Sequence, residues 1–264
     1  MNRTKSVLAG VLLSLAASPA FSAEKVIVGN EGTYPPFSMM STDGQLTGIE
    51  PEMTIEMCKR AELDCEFAVM DFKALIPSLL QGKVDMVGSQ VKPLAERKAV
   101  ALFSIPIIFN HDAFVVKKDA TYDYTDEGMK GVRIGVQRGS SQAKYIAEHF
   151  PSMEAVLYDN PDQIRLDLLS GRIEATFGAK LNWTLELIDK PEGKDWAVVG
   201  NYWTGDESIP EPDRGSSWIV RKGEEELLKK MDAALSSMIE DCTVTKIRSK
   251  YISVPIVPGE AKCL

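Results

Sequence analysis

Two heptapeptides, Leu79-Leu-Gln-Gly-Lys-Val-Asp85 and Leu168-Leu-Ser-Gly-Arg-Ile-Glu174, agree in residue type at nearly every position. Each ends a helical stretch with a glycine stop and opens a short apolar strand, so each closes a β-α-β-α unit. The first unit reads as a strand at Val26–Val28, a helix from Pro51 to Arg60, a strand at Cys65–Val69 and a helix from Lys73 to Gln81. A hairpin at Asp43-Gly44 precedes its first helix. The second reads as a strand at Arg133–Val136, a turn Gly139-Ser-Ser141 capping a helix to Glu148, a strand at Ala155–Leu157 and a helix from Pro161 to Ser170. Strands alternating with helices predict an α/β fold with a mostly parallel sheet flanked by helices. Two units predict two similar lobes.

Between the units, residues 107–118 read as an extended apolar segment interrupted by Asn110, His111 and Asp112, and residues 198–210 read as loop-like. A strand near Ser217–Val220, a helix from Glu224 to Ile239 and a short helix ending near Tyr251 complete the chain. The chain is expected to leave the first lobe, build the second and return. The boundaries read as 23–109 with 210–264 for lobe 1, 114–197 for lobe 2, and 110–113 with 198–209 for a two-segment hinge. Two crossings make a hinge, and a hinge between lobes makes a cleft.

Residues 1–22 read as a cleaved signal peptide: Arg3 and Lys5 precede an apolar run from Val7 to Ala17, and Ala20-Phe21-Ser22 supplies small residues for cleavage before Ala23. The run is too short for a permanent span. The expected compartment is therefore the periplasm. The net charge of −8, with no basic stripe, argues against nucleic acid. All four cysteines lie in the exported part, where disulfides persist. Cys58 and Cys65, with six residues between them, suit a staple from a helix end to the next strand; Cys242 and Cys263 are left to each other by elimination. His111 and His149 form no ligand cluster with the cysteines, so no metal or cofactor is expected.

Candidate ligand-binding residues gather at the strand ends, where open α/β sheets hold ligands. Ser89 and Gln90 end the strand opened by the first heptapeptide, and Pro93 starts a charged turn carrying Arg97. Arg97 with Ser89 reads as a carboxylate clamp, or as a solvated arginine. Gly139 and Ser141 read as an anion site at a helix N-terminus, with Ser141 equally an N-cap. Tyr34 and Phe72 could sandwich a ligand, or Phe72 could be core. Glu31 reads as a partner for a cationic group, or as a solvated side chain.

Tyr34-Pro-Pro-Phe37, Asp71-Phe-Lys-Ala-Leu-Ile-Pro-Ser-Leu79, Gly82-Lys-Val-Asp85, Arg97 and Gly135-Val-Gln-Arg-Gly-Ser-Ser-Gln142 together resemble the periplasmic solute-binding proteins of polar amino-acid ABC transporters, family 3, similar to lysine/arginine/ornithine- and histidine-binding members. The resemblance runs from Lys25 to Tyr251. It implies a two-lobed type II binding protein, a monomer, that closes on an amino acid and delivers it to an inner-membrane ABC permease. By position it implies that Arg97 and Ser141 hold the α-carboxylate, Tyr34 and Phe72 stack on the side chain, and Glu31 meets a distal cation.

Two positions depart from the family pattern. The aspartate that takes a ligand's α-ammonium falls on Ala179, followed by Lys180, and the small hydroxyl residue that assists it is Lys92. A buried ammonium without a partner is costly. The expected ligand is therefore a polar amino acid or derivative, opine-like with a substituted or absent α-amino group, and Lys92 beside Arg97 is expected to meet a second carboxylate. The alternatives are a conventional basic amino-acid binder with Lys92 in solvent, a sensor for a membrane receptor, or a periplasmic dehydratase of the same fold using Glu31 as acid. With no nucleophile–base pair in the sequence, the expectation is a protein that is not an enzyme.

Overall fold

The computed structural model describes residues 23–263. Residues 1–22, read from sequence as a signal peptide, lie outside the described residues. The chain begins with β1 (Glu24–Asn30), a small meander of β2 (Thr33–Tyr34), β3 (Ser38–Met40) and β4 (Leu46–Thr47), and then α1 (Ile49–Arg60), β5 (Leu63–Val69), α2 (Phe72–Leu80) and β6 (Met86–Val91). It continues through α3 (Ala95–Val100) and β7 (Ala101–Phe103) before crossing to β8 (Asp112–Lys117). The second unit is β9 (Arg133–Gln137), α4 (Ser141–His149), β10 (Glu154–Tyr158), α5 (Pro161–Leu169) and β11 (Ala175–Ala179), followed by α6 (Lys180–Trp183) and β12 (Trp196–Trp203). The return crossing leads to β13 (Ser217–Arg221), α7 (Glu225–Glu240) and α8 (Thr243–Arg248).

The first sheet has the order β5-β1-β6-β13-β7 and the second β10-β9-β11-β8-β12. These are the same plan. In each, four of the five strands run one way and the fourth position is reversed, because β13 pairs antiparallel with β6 and β7, and β8 with β11 and β12. The reversed strand is the one the chain lays down after a crossing. Apolar clusters cover both faces of each sheet: Met53, Met57 and Trp218 on one side of the first and Leu75, Leu79 and Val87 on the other; Phe114, Val136 and Phe177, then Ile164, Leu168 and Trp183, on the two sides of the second. Buried on both faces, β11 reads as an unbroken small and apolar run, and β6 departs from one only at Gln90.

The repeated heptapeptides do the same work in both lobes. Gly82 and Gly171 take φ of +70° and +73°, a left-handed turn that stops α2 and α5 without a Cβ penalty. The acidic residue that closes each heptapeptide then accepts a main-chain N–H at the head of the neighbouring strand: Asp85 from Ile27 and Glu174 from Arg133, both at 2.9 Å. That shared bond fixes where the third strand docks on the first.

Both disulfides are formed. Cys58–Cys65 joins the end of α1 to β5, and Cys242–Cys263 ties the start of α8 to the C-terminal turn. The two crossing segments run side by side, with Ile107 and Ile108 donating to the Ser216 carbonyl and Ser216 donating back to Ile108. Residues 112–113 and 198–203, read from sequence as hinge, are strand. An irregularity between Val199 and Trp203 lets β12 continue past Gly200, which is why the segment looks loop-like in sequence. Arg97, expected on a turn, is carried by the short helix α3.

Candidate functional site

The carboxyl ends of β1, β6, β9 and β11, and the start of the reversed strand β8, meet in the cleft between the lobes. Glu31, Tyr34, Phe72, Gln90 and Lys92 from the first lobe face Gln137, Ser140, Ser141, Gln142 and Ala179 from the second. The space among them is about 30 Å³, room for a water or two. The lobes touch directly: Lys73 pairs with Asp159 at 2.7 Å, Lys144 with Glu96 at 3.1 Å, and the Asn182 amide donates to the Pro35 carbonyl at 3.0 Å.

Glu31 sits one residue past β1 and is 4% exposed. Its carboxylate accepts from Nε2 of Gln137 across the cleft at 2.9 Å. Burial pushes its pKa up to about 7, against the opposing hydrogen bonds of Gln137 and Thr33. Ser89, assigned from sequence to the ligand's carboxylate, is fully buried, and its Oγ accepts the Glu31 main-chain N–H at 3.1 Å. It holds the Glu31 loop rather than lining the cavity. Behind this loop Glu50, at the start of α1, accepts from the Asn30 amide at 3.2 Å and the Gln90 N–H at 3.1 Å. Its pKa is pushed up to about 8, first by burial and then by the charge of Glu31.

Tyr34 and Phe72 both line the cavity, and burial with the charges of Asp112, Glu31 and Glu50 raises the Tyr34 phenol. The ring of Phe72 lies 6.0 Å from the Arg97 guanidinium. Arg97 is 7% exposed, with Nη1 donating to the Lys92 carbonyl at 3.0 Å and Nη2 to the Gly139 carbonyl of the opposite lobe at 2.9 Å. Burial draws its pKa down to about 10. Gly139 has φ +75°, and a Cβ there would press on the Lys73 main chain at 3.2 Å. The N-cap of α4 is Ser140, not Ser141: its Oγ accepts from the Ala143 N–H at 3.0 Å. The Ser141 hydroxyl makes one long bond of 3.4 Å to Gln142 and is free to take a ligand oxygen at the helix N-terminus.

Lys92 is neither in solvent nor unpaired. Its Nζ donates to Oδ2 of Asp112 at 2.6 Å and to the Asn110 carbonyl at 3.0 Å, and lies 5.3 Å from the Trp203 ring centroid. Asp112 is fully buried behind it and accepts a further bond from Gln142 at 2.9 Å. Lys180 points away, to the Tyr202 hydroxyl at 3.2 Å. Asn110, Asp112, Gln137, Gln142 and Glu50 did not emerge as candidates from sequence. Gln137 had a signal, since like Asn30 and Gln90 it is the polar residue at the end of an apolar strand; Asp112 and Glu50 had none. Among the described residues no group of His, Cys, Asp and Glu could hold a metal ion.

Two lobes of equal topology, joined by paired crossings and lined across the cleft by hydrogen-bonding groups, define a solute-binding protein. The chain belongs to the bacterial extracellular solute-binding proteins, family 3, whose family model matches residues 26–254. It is 31% identical over 254 residues to the L-arginine-binding protein of Pseudomonas aeruginosa, covering 95% of this chain and 97% of that one. Among solved structures it is similar to an ancestral arginine-binding protein bound to arginine, with TM-score 0.77 and 29% identity, covering 87% of this chain and 98% of the other. A periplasmic His/Glu/Gln/Arg/opine family-binding protein from Silicibacter pomeroyi in complex with lysine matches with TM-score 0.75 and 27% identity, over 88% and 99% of the chains.

Proposed function

We propose that this protein is the periplasmic capture component of an ABC importer, acting as a monomer, and that its ligand is a derivative of a basic amino acid with a substituted or absent α-amino group. In this reading the ligand's α-carboxylate lies between Arg97 and the N-terminus of α4 at Ser141, its chain lies between Tyr34 and Phe72, and its cationic end displaces the Gln137 amide from Glu31. A guanidinium or ammonium there gives Glu31 the counter-charge that its burial withholds.

The observation that carries the choice of derivative is the Lys92–Asp112 pair. Where the family pattern supplies acceptors for a ligand ammonium, this chain has Ala179 and the Nζ of Lys92, whose own acceptors are Asp112 and Asn110. A second cation brought there would face Lys92 without a partner. Because Asp112 already neutralises Lys92, the pair leaves an ammonium no acceptor there and does not demand a second carboxylate.

The test is a thermal-shift and calorimetric screen of protein unfolded and refolded to strip carried-over ligand. L-Arginine, L-lysine, L-ornithine and L-histidine are compared with 4-guanidinobutyrate, which lacks the amino group, and N2-(1-carboxyethyl)arginine. A ligand at 100 times its Kd adds about 2.7 kcal/mol, which raises Tm by roughly 5–10 °C in a chain of this size. Tighter binding of the last two is expected; tighter binding of free arginine refutes the reading. That second outcome is the conventional one, and it has one structural support: if Lys92 swings aside, Asp112 can take an α-ammonium. A dehydratase would use Glu31 as general acid; incubation with prephenate is expected to give no turnover.

A further inference from the structure

Glu31 and Glu50 are two buried carboxyls, 4% and 1% exposed, and the side-chain and main-chain donors that reach them are neutral. Glu31 accepts from the Gln137 amide, and Glu50 from the Asn30 amide and the Gln90 main-chain N–H. Asn30 ties the two together: it ends the strand that leads into Glu31, and its Nδ2 also donates to the Gly88 carbonyl of β6 at 2.7 Å. The charged groups of the neighbouring elements are committed elsewhere. Lys92 is held by Asp112 and the Asn110 carbonyl, and Arg97 on α3 donates to the carbonyls of Lys92 and Gly139. Lys73 on α2 and Arg138 beside Gln137 both pair with Asp159, and Glu52 on α1 pairs with Lys250 and accepts from Tyr251. Tyr34 and Asp112 bring no positive charge, and the raised Tyr34 phenol keeps its proton.

A buried carboxyl with neutral partners can recognise two chemistries. Ionised, Glu31 presents two acceptors, the match for the paired N–H groups of a guanidinium. Protonated, it presents one donor and one acceptor, the match for the C=O and N–H of a urea or an amide. With its pKa at about 7, Glu31 populates both forms near neutral pH. Glu50 responds through Glu31, because after burial it is the Glu31 charge that holds its pKa up at about 8. A ligand cation at Glu31 cancels that charge and loosens the Glu50 proton as well.

Resting on the function proposed above, we infer that the Glu31–Glu50 pair is a proton-exchanging selector for the far end of the ligand: ionised it takes a cationic end, and protonated it takes a neutral ureido or amide end. Capture of a cation expels a proton from the pair to solvent, and capture of a neutral end above about pH 7 draws one in. The sign follows from which form each end binds. Affinity for a cation is full where the pair is ionised and falls about tenfold per pH unit below about pH 7, whereas affinity for a neutral end falls as pH rises through the same value. The two carboxyls titrate together, so the proton count belongs to the pair. Glu50 touches no ligand and is a positioning residue that acts through Glu31.

Calorimetric titration of protein produced from the full chain tests this with 4-guanidinobutyrate and 4-ureidobutyrate, which differ in the charge of the far end and do not themselves titrate between pH 6 and pH 8. Two buffers of different ionisation enthalpy at each pH give the protons exchanged. The guanidino probe is expected to bind about tenfold tighter at pH 8 than at pH 6, releasing close to one proton at pH 6. The ureido probe is expected to bind about tenfold weaker at pH 8, with proton uptake there. Glu31→Gln should abolish the pH slope of the guanidino probe; Glu50→Gln should keep both slopes and reduce the proton release near pH 7.5, which a merely structural role would not change. Parallel slopes for the two probes, no proton exchange with either, or a ureido probe that fails to bind even at pH 6 while the guanidino probe binds overturns the selector. If the protein binds free L-arginine and L-citrulline but neither probe, the choice of derivative proposed above fails, and the same slopes read with those two amino acids decide the selector on its own. Binding of none of the four overturns both.

Discussion

Replacing Lys92 with serine tests the cleft electrostatics most directly. Nζ of Lys92 is 2.6 Å from Oδ2 of Asp112, with the lysine side chain 8% exposed and the aspartate 0%. Without it the Asp112 carboxylate keeps one side-chain donor, Nε2 of Gln142. Removing one partner of a buried pair costs about 3–5 kcal/mol, because the remaining charge is desolvated and uncompensated. At 2–4 °C per kcal/mol for a chain of this size, Lys92→Ser should lower Tm by roughly 6–20 °C. Two further measurements by scanning calorimetry separate electrostatics from packing. The double variant Lys92→Met/Asp112→Leu, which removes both charges, should return to within about 1–2 kcal/mol of the original. Excess L-arginine should stabilise Lys92→Ser more than it stabilises the unaltered protein, since its α-ammonium can take the vacated place at Asp112. A single variant as stable as the parent, or an arginine shift no larger than the parent's, would refute the assignment of Lys92 as a built-in substitute for a ligand ammonium.

Glu31 and Glu50 predict an unusual pH dependence. Both have folded-state pKa values raised above the ordinary carboxylate range, to about 7 and about 8. The folded state therefore holds protons that the unfolded chain has released, and their contribution, fully present below about pH 4.5, is lost as pH rises through 7 and 8. The Tm of ligand-free protein should fall between pH 5 and pH 8, and Glu50→Gln should flatten the upper part of that fall; a flat profile in the parent would dismiss the raised values. Ser140→Ala removes the N-cap bond to Ala143 and should cost about 1 kcal/mol in denaturant unfolding, whereas Ser141→Ala should leave stability within about 0.5 kcal/mol and weaken ligand binding instead. Equal stability losses in the two would return the capping role to Ser141.

Much of the architecture was legible because it is written in short-range pattern. The heptapeptides announced two equivalent units, and the bonds of Asp85 and Glu174 to the first strands show why the acidic residue recurs. The spacing of Cys58 and Cys65 anticipated the first bridge, and elimination the second. Local reading failed where two adjacent residues compete for one role. Ser140 and Ser141 are both plausible caps in sequence, and the turn at Gly139 decides between them. Ser89 looked like a ligand contact because it ends a strand, but strand alternation turns it under the Glu31 loop.

The sequence by itself determined the class of molecule: two β-α-β-α units, a chain that leaves one lobe and returns to it, and a cleft bounded by strand ends. Periodicity, glycine stops and cysteine spacing are local, so they survive without coordinates. Only the tertiary structure decided the charge state of the cleft. Lys92 finds Asp112 on the opposite lobe, Glu31 finds Gln137, Glu50 is buried against Asn30 and Gln90 at the start of α1, and Arg97 meets no carboxylate among the described residues. Each of these depends on desolvation and on partners brought together from separate elements, and a buried charge is defined by all of its neighbours at once.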